Sequence, residues 1–105
     1  MQMRTTEHIA LGVQDIDEAA NYYVEVFGFK ETGRKDDYVE LTSGVLKLYI
    51  TQDDGYTPTF NVDVRSIAEA EAHIVANGGE VYMRHSEEVF VKDKYGHCFC
   101  LSKES

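Results

Sequence analysis

The chain has 105 residues, of which 43% are hydrophobic, and we expect one domain over residues 1–105, because two separate cores would each be too small. Its formal net charge of −9 argues against nucleic acid as a partner, since phosphates would be repelled. No apolar run approaches the roughly 20 residues that cross a bilayer, so we expect no membrane partner.

Neither the start of the chain nor its cysteines indicates export. Residues 1–7 are polar and lack the apolar stretch of a secretory signal. Cys98 and Cys100 lie two positions apart, so on one strand their Cα atoms would be separated by about 7 Å, at the limit for a disulfide. We therefore predict free thiols and a cytoplasmic protein.

The first half of the chain predicts one strand, one helix and three further strands. Apolar residues alternate along residues 9–13, as is typical of a strand with one buried face. A helix is predicted from Ile16 to Phe27, with Asp15 as its N-cap and Gly28 as a left-handed residue after its last turn. Short strands are then predicted around residues 29–33, 38–42 and 45–51.

The second half predicts the same order of elements. Apolar residues alternate along residues 60–64, and a helix is predicted from Ile67 to Ala76, with Ser66 as its N-cap. Gly78 and Gly79 should end that helix. Further strands are predicted around residues 80–85, 88–92 and 98–102.

The two halves form an internal repeat. At a shift of 51 positions Asp15 falls on Ser66, His8 on Thr59, and Gly28 on Gly79. At this shift the helix caps, the buried strand faces and the helix ends of one half all fall on those of the other. This coincidence indicates tandem βαβββ units, at about residues 5–52 and 56–103. The predicted class is α+β, with the two units forming a curled mixed sheet and the helices on its outer face.

Residues that alternate with the buried ones should form the second, concave face of the sheet. On the first strand of each unit that face carries His8 or Thr59. On the last strand a shift of 53 places Lys47 on Cys100, which gives a centre of four positions. The candidate ligand-binding residues on this face are His8, Lys47, Tyr49, Thr59, Asn61, Cys98 and Cys100.

Three segments of the chain together have the order and spacing of a known family. They are HIALGVQDIDEAANYYVEVFGFKETGR, SIAEAEAHIVANGGEV and VKDKYGHCFCLSK. With them the chain resembles the vicinal oxygen chelate superfamily, which contains glyoxalases, bleomycin-resistance proteins and extradiol dioxygenases. The last segment is similar to the superfamily's Asp-Pro-Asp-Gly turn and final strand. The resemblance implies paired βαβββ modules around a cleft, a small-molecule ligand and a homodimer.

The resemblance also implies a divalent metal, held by two His and two acidic residues on the first and last strands of each module. The matching positions here are His8, Lys47, Thr59 and Cys100, so only His8 keeps its ligand type. A Lys ammonium has no lone pair, and a hard divalent ion needs several oxygen or nitrogen ligands. We therefore expect no metal and no other cofactor.

Three functions remain open at this point, because a fold does not fix a function. The leading hypothesis is a metal-free protein that binds a small molecule, as bleomycin-resistance proteins do. The alternative is a divergent lyase, isomerase or dioxygenase-like enzyme that uses His8, Lys47 or a nucleophilic Cys100. A third is a dimeric interaction module whose cleft is filled by its own side chains.

Lys47 suggests the kind of ligand. Its ammonium could replace the missing metal and meet a carboxylate or a phosphate-like group. The net charge favours a cationic ligand instead, but contacts inside a site outweigh charges that lie beyond the Debye length. The alternative is that Lys47 has no ligand and forms an ion pair with an acidic neighbour such as Glu40.

Overall fold

The computed structural model describes residues 3–53 and 56–104. The chain divides into two compact units, which we call the first unit (residues 7–58) and the second unit (residues 59–105 with the first six). The elements in chain order are β1 (Met3–Val13), α1 (Ile16–Phe27), β2 (Lys30–Lys35), β3 (Tyr38–Ser43), β4 (Leu46–Gln52), β5 (Tyr56–Val64), α2 (Ile67–Ala76), β6 (Glu80–Arg84), β7 (Glu88–Lys92) and β8 (Cys98–Lys103).

Each unit has the same strand topology. The strand order is β2-β3-β4-β1 in the first unit and β5-β8-β7-β6 in the second. The pairs β1–β4 and β5–β8 are parallel, whereas β2–β3, β3–β4, β6–β7 and β7–β8 are antiparallel. The predicted α+β class, with tandem βαβββ modules and mixed strand pairing, is confirmed.

Both helices have the predicted bounds, because their ends are encoded locally. Asp15 Oδ1 accepts the Glu18 backbone N–H at 3.1 Å, and Ser66 Oγ accepts the Glu69 N–H at 3.2 Å. These side chains satisfy amide groups that have no partner inside a helix. No helix among the described residues is long and apolar enough to span a membrane.

The helix ends differ slightly from the predicted alignment of the repeat. Gly28 follows α1 with a φ of 78°, in the left-handed region where glycine is favoured. After α2, Gly78 has this conformation (φ 97°), not Gly79. The aligned partner of Gly28 is therefore Gly78, because α2 is shorter than α1.

One face of the strands in each unit packs against that unit's helix and forms its core. The first core is centred on Leu41 and Ile50, and the second on Val64 and Leu101, all of which are almost completely buried. These residues carry the alternating apolar pattern of the sequence, which therefore identifies the buried side of each sheet. The opposite side is left for polar and aromatic residues.

The strand register corrects one prediction. His8 lies opposite Lys47 in the first unit, and Thr59 lies opposite Cys98 in the second. Lys47 thus corresponds to Cys98 at the same shift of 51 as the rest of the repeat, so its predicted match to Cys100 is wrong. Alternation alone could not separate the two cysteines, because residues two apart on a strand share a face.

Candidate functional site

The first unit carries a connected group of polar and aromatic side chains on the side away from α1. Residues directly opposite each other on paired strands share a face, and the pairs His8–Lys47, Thr42–Lys47 and Glu40–Tyr49 extend this face from β1 to β3. We call it the first face. Its members are Thr32, Glu40, Thr42, Lys47, Tyr49 and His8.

Aromatic packing orders the middle of the first face. The ring centroids of His8 and Tyr49 are 4.7 Å apart, and those of Tyr38 and Tyr49 are 5.3 Å apart. Such contacts between tilted rings fix ring orientation and stabilise the pairs by about 0.5–1.5 kcal/mol beyond burial. All three rings remain partly exposed, so a ligand could contact them.

Glu40 is held as a carboxylate beside these rings. Thr32 Oγ1 donates a hydrogen bond to Glu40 Oε1 at 2.8 Å, and this bond is the main reason that the pKa of Glu40 is lowered, with a further hydrogen bond from Tyr49. The pKa of Tyr49 is raised, chiefly by burial and then by this bond to Glu40. Tyr49 is therefore a neutral donor at physiological pH.

The sequence left open an ion pair between Lys47 and Glu40, and the structure shows a weaker electrostatic interaction between them. The positive charge of Lys47 contributes to the lowered pKa of Glu40, as does His8. However, no salt bridge within the described part of the chain includes Lys47. Glu40 is satisfied by hydroxyl groups instead, and among the described residues no carboxylate forms a salt bridge with the Lys47 ammonium.

The second unit carries the remaining predicted residues on the corresponding side of its sheet, which we call the second face. The Asn61 amide donates to Thr6 Oγ1 at 3.2 Å, and Ser102 Oγ donates to Asn61 Oδ1 at 3.1 Å. Asn61 is thus fixed by the protein itself. The members of the second face are Thr59, Asn61, Tyr82, Glu88, Phe90, Lys92, Cys98, Cys100 and Ser102.

The environment of Cys100 does not support a nucleophilic thiol. Cys100 Sγ donates to Glu88 Oε2 at 3.3 Å. Burial, and then the negative charge of Glu88, raise the pKa of Cys100 to about 12. Because the thiolate is the nucleophile, this environment disfavours the alternative of an activated Cys100. Cys98 and Cys100 form no disulfide, as the sequence predicted, and both are buried.

Tyr82 is the functional candidate that sequence reasoning missed. Its hydroxyl is hydrogen-bonded to the side chains of Cys98 and Thr59, and burial followed by the bond to Cys98 raises its pKa to about 12. Lys92 Nζ lies 5.3 Å from the centroid of its ring. A β-bulge produces this arrangement, because it places Tyr82 between the strand pairs Val81–Val91 and Met83–Phe90. The sequence pattern alone does not reveal this bulge.

A cleft of about 640 Å³ lies in the second unit, within the size range of small-molecule sites. None of the predicted ligand-binding residues lines it, although Glu88 and Ser102, the neighbours of Cys100, do. Polar and apolar surface contribute about equally to its walls, and the residues that line it are Ile67, His85, Ser86, Glu87, Glu88, Ser102, Lys103 and Glu104.

The side chains present do not fit the divalent metal that the resemblance implies. The first face offers His8 and Glu40, but the Lys47 ammonium lies beside them. On the second face the positions that correspond to His8 and Lys47 are Thr59 and Cys98, which supply neither the imidazole nor the carboxylate that a hard divalent ion prefers. Within residues 3–53 and 56–104, no three His, Cys, Asp or Glu side chains are grouped to hold a metal ion.

The two βαβββ modules, each with its helix on one side of the strands, define the class of α+β fold to which the chain belongs. The sequence model of the Glyoxalase/Bleomycin resistance protein/Dioxygenase superfamily matches residues 5–101. The chain therefore belongs to this superfamily, as its resemblance to vicinal oxygen chelate proteins predicted. No curated protein matches the chain in sequence.

Solved structures support the same fold. A superfamily member from Vibrio splendidus 12B01 has a TM-score of 0.71 at 18% identity, covering 98% of this chain and 100% of that one. A hypothetical protein from Bacillus halodurans C-125 has a TM-score of 0.70 at 18% identity, covering 100% and 96%. A Streptomyces coelicolor methylmalonyl-CoA epimerase variant has a TM-score of 0.67 at 18% identity, covering 99% of each chain. At such identities the likeness establishes the fold only.

Proposed function

We propose that this protein binds a small organic molecule without a metal, and that the first face is its binding site. One observation carries the proposal. His8 and Lys47 lie directly opposite each other on β1 and β4, both are partly exposed, and Lys47 has no salt bridge within the described chain. A cation held in this way, beside aromatic rings, suits an anionic group of a ligand.

The neighbours of Lys47 narrow the ligand class. A carboxylate or phosphate would contact Lys47 and His8, while Glu40 would accept a hydrogen bond from a hydroxyl or amine on the same ligand. Glu40 is kept ionised by Thr32 and Tyr49, so an anion without such a donor would be repelled. We therefore propose a small hydroxy acid, amino acid or phosphorylated compound.

An enzyme is the second candidate, because methylmalonyl-CoA epimerases share the fold over nearly the whole chain. For a metal-free isomerase on the first face, the Glu40 carboxylate is one candidate proton acceptor and the His8 imidazole is another. The hydrogen bonds of Glu40 lower its pKa, which makes it a weak base, whereas an efficient general base has a pKa near the working pH. The Glu40 carboxylate is therefore better suited to accept a hydrogen bond from a ligand than to take up a proton.

A thermal-shift screen tests the binding proposal. In buffer with EDTA, hydroxy acids, amino acids and phosphorylated compounds are compared with uncharged analogues, on wild type and Lys47→Met. A ligand at about 100 times its Kd stabilises by about 2.7 kcal/mol, or about 10 °C in Tm. We expect anions to shift the wild type and to shift Lys47→Met much less.

Three outcomes of the screen would contradict the proposal. The first is the absence of any shift by anions, and the second is an equal shift in wild type and Lys47→Met. The third is binding that appears only when about one equivalent of zinc, nickel or manganese is added. Elemental analysis of the purified protein should accordingly find no stoichiometric divalent metal.

We also propose a cytoplasmic homodimer. β2 and β6 lie at the ends of their units' strand orders, and exposed strand edges are usually covered. Two-fold pairing of identical chains is the commonest arrangement that does so. Sedimentation equilibrium at micromolar concentration should give twice the mass of one chain. A single-chain mass that is constant between micromolar and hundreds of micromolar would show the dimer to be wrong.

A further inference from the structure

The two units have a β-bulge at the same place in the repeat, but different residues occupy it. In the first unit Thr32 lies between the strand pairs Glu31–Leu41 and Gly33–Glu40. In the second unit Tyr82 lies between Val81–Val91 and Met83–Phe90. A bulged residue is unpaired and can be directed differently from its neighbours. The bulge therefore positions Thr32 and Tyr82 as counterparts.

The side chains of these counterparts reach different distances across their sheets. Thr32 ends at the adjacent strand, where its hydroxyl contacts Glu40 at 2.8 Å and Thr42 at 2.7 Å. The longer Tyr82 side chain passes Lys92 on β7 and reaches Cys98 on β8 and Thr59 on β5. Tyr82 thus covers the width of its sheet.

The central pair of opposite residues is more exposed in the first unit, where the side chain at the bulge is short, than in the second unit, where it is long. His8 and Lys47 are opposite each other beyond Thr32 and remain partly exposed. Thr59 and Cys98, which occupy the corresponding positions, are only 2% and 5% exposed. Tyr82 itself is 39% exposed, and its hydroxyl is bonded to both of these buried residues.

We propose that Tyr82 closes the second face, and that the residue at the bulge decides which half of the repeat is open to ligands. Tyr82 occupies with its own hydroxyl the place where a ligand would meet Thr59 and Cys98. Under this proposal the first face, at His8 and Lys47, is the one of the two faces that is open to a ligand. The identity of the ligand there rests on the proposed function, whereas the closure by Tyr82 does not.

Alkylation of Cys98 tests the closure without any ligand. Wild type, Tyr82→Thr and Tyr82→Phe are treated with iodoacetamide at neutral pH, and labelled peptides are quantified by mass spectrometry. Because thiol reactivity depends on exposure, we expect Cys98 in Tyr82→Thr to react faster by about tenfold or more. Tyr82→Phe keeps the ring and should protect Cys98 nearly as well as the wild type does.

Cys100 provides an internal reference for folding. It is held by Glu88 and Ser102, so it should stay slow in all three proteins, while an unfolded variant would label both thiols equally. Equal slow labelling of Cys98 in wild type and folded Tyr82→Thr would overturn the proposal. Fast labelling in Tyr82→Phe would also overturn it, because the hydroxyl would then be protecting Cys98 in place of the ring.

The reciprocal change supplies a second test in the first unit. Thr32→Tyr should cover His8 and Lys47, and therefore reduce the acetylation of Lys47 by acetic anhydride relative to the exposed Lys94. Thr32→Ser keeps the hydroxyl that donates to Glu40 and adds no ring, so it should leave Lys47 as reactive as in the wild type. Unchanged Lys47 acetylation in folded Thr32→Tyr would contradict the role of the bulge residue.

These results can be separated from the binding proposal. If no anion binds the wild type but Tyr82→Thr exposes Cys98, the closure stands and the ligand assignment fails. If anions bind the wild type and Cys98 stays protected in Tyr82→Thr, the ligand assignment stands and the closure fails.

Discussion

Leu41→Ala should lower the free energy of unfolding by about 2–5 kcal/mol, the usual range when a fully buried leucine is truncated. Leu41 lies on β3 with no exposed surface and packs in the core beneath α1. Truncation removes buried methyl groups and leaves a cavity, and both effects favour unfolding. Urea unfolding followed by far-UV circular dichroism gives the difference.

Val45→Ala is the matched control for this prediction. Val45 precedes β4 in a turn and is 89% exposed, so its truncation should change the stability by less than about 0.5 kcal/mol. The predicted strand at residues 45–51 began one residue too early, because Gly44 has a φ of 59° and Val45 belongs to the turn. If the free energy of unfolding fell equally in the two variants, Leu41 would not be a main contributor to the stability of this core.

Gly79→Ala should also destabilise the fold, by about 1–3 kcal/mol or more, as overpacking does. A Cβ at Gly79 would clash with Ile74 Cγ2 and would lie 2.7 Å from the Lys92 carbonyl oxygen. The carbonyl belongs to the end of β7, so relief requires movement of α2 against its sheet. Thermal unfolding should show the loss as a fall in Tm of several degrees.

Gly33→Ala serves as the control for Gly79→Ala. The nearest atom to a Cβ at Gly33 is Glu40 Cβ at 3.5 Å, which is an ordinary contact. Gly33 has no positive φ, so alanine should be neutral or slightly stabilising through the unfolded chain. A Gly79→Ala variant as stable as Gly33→Ala would show that α2 and β7 are not packed closely at this point.

The fold was predictable where its signals are local. The N-caps Asp15 and Ser66 fixed the starts of both helices, because each needs only a side chain and an amide three residues later. Alternating apolar residues identified the buried face of each sheet, and their repetition indicated two modules. These properties depend on neighbouring residues and need no knowledge of strand pairing.

The register of β4 and β8, the last strand of each unit, depends on the length of the turn before it. The sequence pattern did not predict that length. Thr42 pairs with Lys47 across one turn, and Lys92 pairs with Cys98 across the corresponding turn, which is one residue longer. A period of two leaves Cys98 and Cys100 on the same face in either register. The correct partner of Thr59 is therefore visible only after the strands are paired.

The candidate site was predictable in its composition but not in its contacts. His8, Lys47 and Tyr49 were identified by alternation, and the structure brings them together on the first face. The raised pKa of Cys100 depends on Glu88 from the neighbouring strand, and the position of Tyr82 depends on a bulge. Neither follows from the order of residues along one strand.

The most direct test of metal-free binding at the first face is amide chemical-shift mapping by NMR. EDTA-treated protein is titrated with the carboxylate or phosphate compound that gives the largest thermal shift. We predict the largest changes at the amides of His8, Glu40, Lys47 and Tyr49, with little change at Thr59 and Cys98. Changes confined to the second unit, or changes that require an added divalent metal, would contradict the proposed function.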